Sequence, residues 1–178
     1  MNQNVVAFTG ISGVGKTTFL RNLAESVRFQ HLTGGSLIAT ARETGHDQRD
    51  AMRYADLDEN QLLLIDGFAV VRDPAEDLVV MDGHVAIDDG NSLQKLPAQV
   101  FRALGVTMMI HLGAEPMRIS ANRSNDMSRS RPTYGLEILT KHQDISRLHA
   151  QSIAAELGVE FQSVTHDDVA QLASVLKS

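Results

Sequence analysis

Short runs of consecutive apolar residues alternate along this chain with longer stretches in which apolar positions recur every three or four residues. The first pattern suits a buried strand and the second an amphipathic helix. Val5–Thr9 (VVAFT) reads as a buried first strand that ends in a glycine-rich turn, Gly10–Gly15. A helix is predicted over about 16–26, with Phe19, Leu20, Leu23 and Val27 on one face. Phe29–Leu32 reads as a second short strand before the Gly34-Gly35 break. Ser36 is placed to cap a helix running toward Thr44, which Gly45 stops.

Two runs then compete for the next strand. Leu62–Asp66 (LLLID) and Leu78–Asp82 (LVVMD) are both apolar and both end in an acid. The first is preceded by Asp58-Glu59-Asn60-Gln61, an acidic N-cap with Gln three residues on, which starts a helix. Its apolar content continues through Phe68, Ala69, Val70 and Val71 to Pro74, too long for one strand. The prediction is therefore helix over about 59–72 and strand over 78–82. Thr107–Leu112 forms a fourth strand and Val159–Val164 a fifth. Between them a helix starts near Pro116 and a long amphipathic one runs over about 136–157, stopped by Gly158. Thr165 and Asp168 form a capping box for a last helix. Strands alternating with helices predict an α/β fold on a parallel sheet, and 178 residues suit one domain.

Composition narrows the function classes. Hydrophobic residues at 43% and charged ones at 21% exclude a disordered or fibrous chain. The absence of Cys excludes a disulfide frame, a Cys-liganded zinc and a thiol nucleophile. No apolar run is long enough to span a membrane, and Val5–Phe8 is too short for a secretory leader, so a cytoplasmic protein without membrane contacts is expected. A net charge of -6 argues against general nucleic-acid coating and leaves small molecules as the expected partners.

The strongest chemical signal is Gly10-Ile11-Ser12-Gly13-Val14-Gly15-Lys16-Thr17, which matches G-x-x-x-x-G-K-[ST] between a predicted strand and a predicted helix. Glycines there let successive backbone N–H groups turn inward around a phosphate, and the helix N-terminus adds partial positive charge. Gly10, Ser12, Gly13, Val14, Gly15, Lys16, Thr17 and Thr18 are thus the expected cradle for ATP. Lys16 would reach the outer phosphates and the Thr17 hydroxyl would ligate Mg²⁺. The metal also needs an acid at the end of a neighbouring strand; Asp82 is the first candidate and Asp66 the fallback.

Basic residues concentrate further on. Arg118, Arg123, Arg129 and Arg131 fall within fourteen residues that hold one acid, Asp126. Guanidinium groups match phosphoryl oxygens in a fork, so Arg123, Arg129 and Arg131 are catalytic candidates on a lid over about 123–134. Arg49 and Arg53, within an acceptor-side segment over about 36–73, are candidates for an acceptor phosphate. His84, just past Asp82, either bonds that phosphate or orders its loop. His142 and His149 lack a third residue spaced to complete a zinc site. Thr140-Lys141-His142-Gln143 lacks the Asp of a guanine-reading motif, and too little chain follows Val164 for the helical domain of a ring ATPase. A small phosphotransferase fits best.

Several blocks resemble the archaeal-type adenylate kinases, within the nucleoside monophosphate kinases. VVAFTGISGVGKTTFL is similar to that family's first strand and P-loop, and Arg49-Asp50-Ala51-Met52-Arg53 to its acceptor-side block. Met81-Asp82-Gly83-His84 resembles its strand-end Asp-Thr-His. Leu96-Pro97 followed by a helix resembles its Leu-Pro-Ser segment, and Asp126-Met127-Ser128-Arg129-Ser130-Arg131 its lid motif. The resemblance implies a P-loop three-layer αβα sandwich, strand order 2-3-1-4-5, and Mg²⁺-assisted phosphoryl transfer from ATP to a nucleoside monophosphate. The chain departs from the family pattern at Gly83, at Pro132 and in Val85–Lys95, which lacks the family's Pro and Tyr. Two other classes stay open: a small-molecule kinase with Asp88 or Asp89 as base toward a hydroxyl, and a slow ATPase that gates binding to a partner.

Overall fold

The computed structural model describes residues 3–44, 57–128 and 131–177. A five-stranded parallel sheet is built from β1 (Asn4–Thr9), β2 (Gln30–Thr33), β3 (Leu78–Gly83), β6 (Met108–Leu112) and β7 (Glu160–Val164). Their order is β2-β3-β1-β6-β7, which is 2-3-1-4-5 counted along the chain. The pairing is in register from Val5 opposite Val79 to Thr9 opposite Gly83, and Val6 opposite Met108 to Thr9 opposite His111.

Helices cover both faces. Side chains alternate across a strand, so Val5 and Ala7 pack with Leu37, Phe68, Phe101 and Ile153. Val6 and Phe8 face the other way onto Phe19, Leu20, Leu23 and Leu172. The first face is closed by α2 (Gly34–Thr44), α3 (Glu59–Val71), α4 (Ala98–Ala103) and the second half of α6 (Leu136–Leu157). The second is closed by α1 (Lys16–Ala24), α5 (Pro116–Asn125) and α7 (Val169–Leu176). A side chain at Gly67 would overlap the Leu37 backbone, so α3 and α2 meet backbone to backbone there.

The competition between the two apolar runs resolves as the caps predict. Asp58 accepts from the Gln61 backbone N–H at 2.8 Å, the Gln61 side chain answers at 3.3 Å, and α3 carries Asp66 while Asp82 lies on β3. Other details differ from expectation. The cap of α2 is Thr33, whose Oγ1 accepts from the Ser36 N–H, so the helix starts at Gly34 and Ser36 lies in its first turn. An extended strand-end residue with a β-hydroxyl reaches those orphan N–H groups before Ser36 can. Thr165 and Asp168 do form a capping box, but onto a 3-10 turn, His166–Asp168, that leads into α7. The segment after β3 folds as an antiparallel hairpin, β4 (Ala86–Asp88) with β5 (Leu93–Lys95), which the sequence reading leaves as a loop. The expected helix stop at Gly45 lies outside the described residues.

Candidate active site

The chain leaves β1 at the C-terminal edge of the central strand and turns through the P-loop into α1. Gly13 (φ +89°) and Gly15 (φ +98°) adopt left-handed backbone, which a Cβ would strain. Three consecutive carbonyls of this loop are each held by a side chain from elsewhere in the fold. Ser12 O accepts from Arg123 Nε, Gly13 O from Asn122 Nδ2 and Val14 O from His166 Nε2, all at 2.8 Å. These outer contacts fix the loop with its carbonyl groups engaged, an arrangement that suits a backbone-N–H anion cradle.

Lys16 folds back across the loop. Its Nζ donates to Gly10 O at 3.1 Å and sits 3.8 Å from Asp82 Oδ1. His84 Nδ1 donates to the same Gly10 carbonyl at 2.8 Å, and the residue also lines the cavity described below. Asp82 is 11% exposed and its Oδ2 also receives His31 Nε2 at 3.4 Å. Arg131 Nε donates to Ser12 Oγ and its Nη2 to Asp126 Oδ2, both at 2.7 Å. Its Nη1 is buried without a hydrogen-bond partner among the described residues. Hydrogen bonds from Ser128, then from Arg131, hold the Asp126 carboxyl down at about 2.

A cavity of about 710 Å³ brings these groups together. Lys16, Thr17, Thr18, Asp82, His84 and Arg131 line its polar part, and Ile38, Leu64, Met81, Phe101 and Leu104 its apolar part. Ser12, Gly13 and Gly15 also line it. Arg123 stands behind the loop as a brace, and Arg118 points into a separate cavity of about 470 Å³ with His111 and Arg147, so the arginine cluster is divided in space. Arg49, Arg53 and Arg129 lie outside the described residues. His149 Nε2 donates to Leu96 O at 2.7 Å, while the His142 ring packs edge-on to Tyr134. Among the described residues no group of three metal-ligating side chains is present.

Sequence reasoning did not single out Asn122, His166 or His31. Asn122 is adjacent to Arg123 and on the same helix turn, a signal that was available; His166 reaches the loop only because β7 ends beside it. A further buried group, His111, lies under the cradle. Thr9 Oγ1 donates to Ile110 O at 2.9 Å and so accepts from His111 Nδ1 at 3.1 Å. Burial first, then Lys16 and Arg147, push the imidazole down to about 4, so it is neutral at pH 7.

A phosphate cradle at the end of the middle strand of a 2-3-1-4-5 sheet, with a basic and an acidic side chain across it, defines a P-loop phosphotransferase. The comparisons agree. The AAA domain family matches residues 9–139. The adenylate kinase of Thermoplasma acidophilum is 30% identical over 163 residues, covering 90% of this chain and 88% of that protein. The adenylate kinase of Methanococcus vannielii is 26% identical over 192 residues, covering 99% and 100%. The chain belongs to the adenylate kinase family of P-loop kinases. In the fold alone it is also similar to a shikimate kinase from Acinetobacter baumannii solved with shikimate, with a TM-score of 0.57 and 17% identity over 99% of this chain and 94% of that one.

Proposed function

We propose that the protein transfers the γ-phosphoryl group of ATP to a nucleoside monophosphate. The observation that carries this reading is the convergence of Lys16, Thr17, Asp82 and Arg131 on one cavity that continues into an apolar chamber. The polar end suits a polyphosphate and the chamber suits a base.

Each residue has a part in such a transfer. The P-loop backbone and Lys16 hold the β- and γ-phosphates of ATP. Thr17 and Asp82, which line the same cavity, would hold Mg²⁺, whose charge offsets that of the outer phosphates. An oxygen of the acceptor phosphate attacks the γ-phosphorus in line, and the bond to the β–γ bridging oxygen breaks with its electron pair leaving on ADP. Arg131 lines the cavity, its Nη1 is buried without a hydrogen-bond partner among the described residues, and its guanidinium would meet the charge that builds up on the equatorial oxygens. No covalent enzyme intermediate is required. Asp89 does not suit the part of a base toward a hydroxyl, because its carboxylate is occupied by Asn91, Ser92 and Gln94 within the hairpin turn.

The test is ADP formation from ATP with AMP, GMP, CMP, UMP, shikimate or no acceptor. Turnover with one of the monophosphates well above the no-acceptor rate is expected, lost in Lys16→Ala. Equal rates with and without every acceptor, or turnover with shikimate alone, would overturn the reading.

A further inference from the structure

Resting on that reading, we propose that Tyr134 and Asp88 couple occupancy of the acceptor chamber to the donor-side arginines. Tyr134 OH donates to Asp88 Oδ1 at 3.0 Å and joins two parts of the chain 46 residues apart. On one side the hydrogen bond ends on β4. Ile87, the residue before Asp88, lines the cavity, and adjacent residues of a strand face opposite ways, so β4 presents Ile87 to the chamber and Asp88 to Tyr134. Displacement of Ile87 by a bound acceptor therefore moves the Asp88 carboxylate with it.

On the other side the hydrogen bond ends near the P-loop. The Arg123 guanidinium lies 5.8 Å from the centre of the Tyr134 ring, and Arg123 Nε holds Ser12 O. The His142 ring meets Tyr134 edge-on at 5.0 Å, which fixes the ring from α6. Three residues before Tyr134, Arg131 holds the Ser12 hydroxyl. The hairpin turn also lies beside this segment: a Cβ on Gly90 would sit 3.7 Å from Pro132 Cγ, and the Gly90 N–H donates to Asp88 Oδ1 at 2.9 Å.

The path from chamber to cradle is thus Ile87, Asp88, Tyr134, Arg123 and Ser12, each step a direct bond or contact. Tyr134 and Asp88 bond to each other rather than to the loop, so they act as positioning residues. An acceptor that sets the hairpin also sets the tyrosine against which Arg123 packs. By linkage a nucleotide in the cradle must favour the acceptor by the same factor.

The experiment is calorimetry with AMP-PNP and AMP, each alone and each in the presence of the other, on the wild type, Tyr134→Phe, Asp88→Ala and Asp88→Asn. Phenylalanine keeps the ring for Arg123 and His142 and removes only the hydroxyl. In the wild type, AMP-PNP is expected to tighten AMP at least threefold. In Tyr134→Phe and Asp88→Ala that factor should fall to about one while each ligand alone binds within about twofold of wild type. Asp88→Asn, which keeps an acceptor oxygen, should restore most of the factor. Thermal unfolding checks that the variants are folded. A wild type that binds both ligands with a factor of one, or variants that keep the wild-type factor, would overturn the coupling and leave the acceptor reading standing. If the wild type binds AMP-PNP but none of AMP, GMP, CMP and UMP, the acceptor reading falls, and the coupling with it.

Discussion

His166, just past the edge strand β7, closes on the P-loop: its Nε2 donates to Val14 O at 2.8 Å, and its ring occupies the space a side chain on Gly15 would need. Val14 and His166 are 152 residues apart in the chain, yet the contact puts the last strand in control of the first loop. The ring also packs edge-on against Phe19 of α1, so it is held in place from two directions. Replacing His166 by Ala frees one carbonyl and leaves the loop less ordered, at a cost of about 1 kcal/mol. ATP affinity should fall about fivefold in calorimetry, with kcat changed less than KM. Gln, which keeps a donor, should restore part of the loss; unchanged affinity in a folded His166→Ala would show that the contact does not organise the cradle.

Arg131 should act on the transition state rather than on binding. Among the described residues its Nη1 is buried without a partner, while its other nitrogens are fixed by Ser12 and Asp126. Arg131→Ala should lower kcat by about a hundredfold, the scale of losing one preorganised donor, and raise the KM for ATP by much less. Lys keeps the charge without the fork and should rescue poorly. Near-normal kcat in both variants would remove Arg131 from the reaction.

The two acids that compete in the sequence should separate cleanly in kinetics. Asp82 lies 3.8 Å from Lys16 in the cavity, whereas Asp66 lies on α3 and does not line it. Asp82→Asn should abolish Mg²⁺-dependent turnover and Asp66→Asn should leave it nearly intact. Titrating Mg²⁺ against rate for both variants makes the comparison, and the reverse ranking would reject Asp82 as the metal-side acid.

His111 should make stability depend on pH. Its folded value of about 4 lies below the ordinary 6.5, so between those values the unfolded chain binds the extra proton. Stability from this group is full above about pH 6.5, falls as the pH drops toward 4, and by then has declined by about 3 kcal/mol. Urea midpoints at pH 7 and pH 4.5 should differ more for the wild type than for His111→Gln, which cannot titrate. Equal differences would place the acid sensitivity elsewhere.

How much of this was legible in the sequence varies with the range of the interaction. Caps and periodicity suffice for local elements: Asp58 and Gln61 mark α3 as a helix, and that alone puts Asp82 rather than Asp66 at a strand end. The β4–β5 hairpin was not legible, because its two strands are three residues each and their turn is held by Asp89 side-chain bonds rather than by an apolar alternation. The part of Thr33 as the α2 cap is not legible either, since it depends on where β2 ends.

The P-loop, with its glycines, Lys16 and Thr17, was determined by the sequence itself, since positive φ at Gly13 and Gly15 and a lysine at the helix start are properties of consecutive residues. So was the alternation of strand and helix that builds the parallel sheet, because one side-chain period buries one kind of element. Tertiary structure alone decided which side chains hold the loop. Asn122, Arg123 and His166 each give a hydrogen bond to it across 109 to 152 residues, and only the stacking of β1 between β3 and β6 brings their elements to that edge. It also divided the arginines, since Arg118 and Arg123 leave the same helix five residues apart, so that Arg118 lines the second cavity while Arg123 bonds to the P-loop. A sequence shows that charge is concentrated; the helix's rotation per residue decides where each charge points.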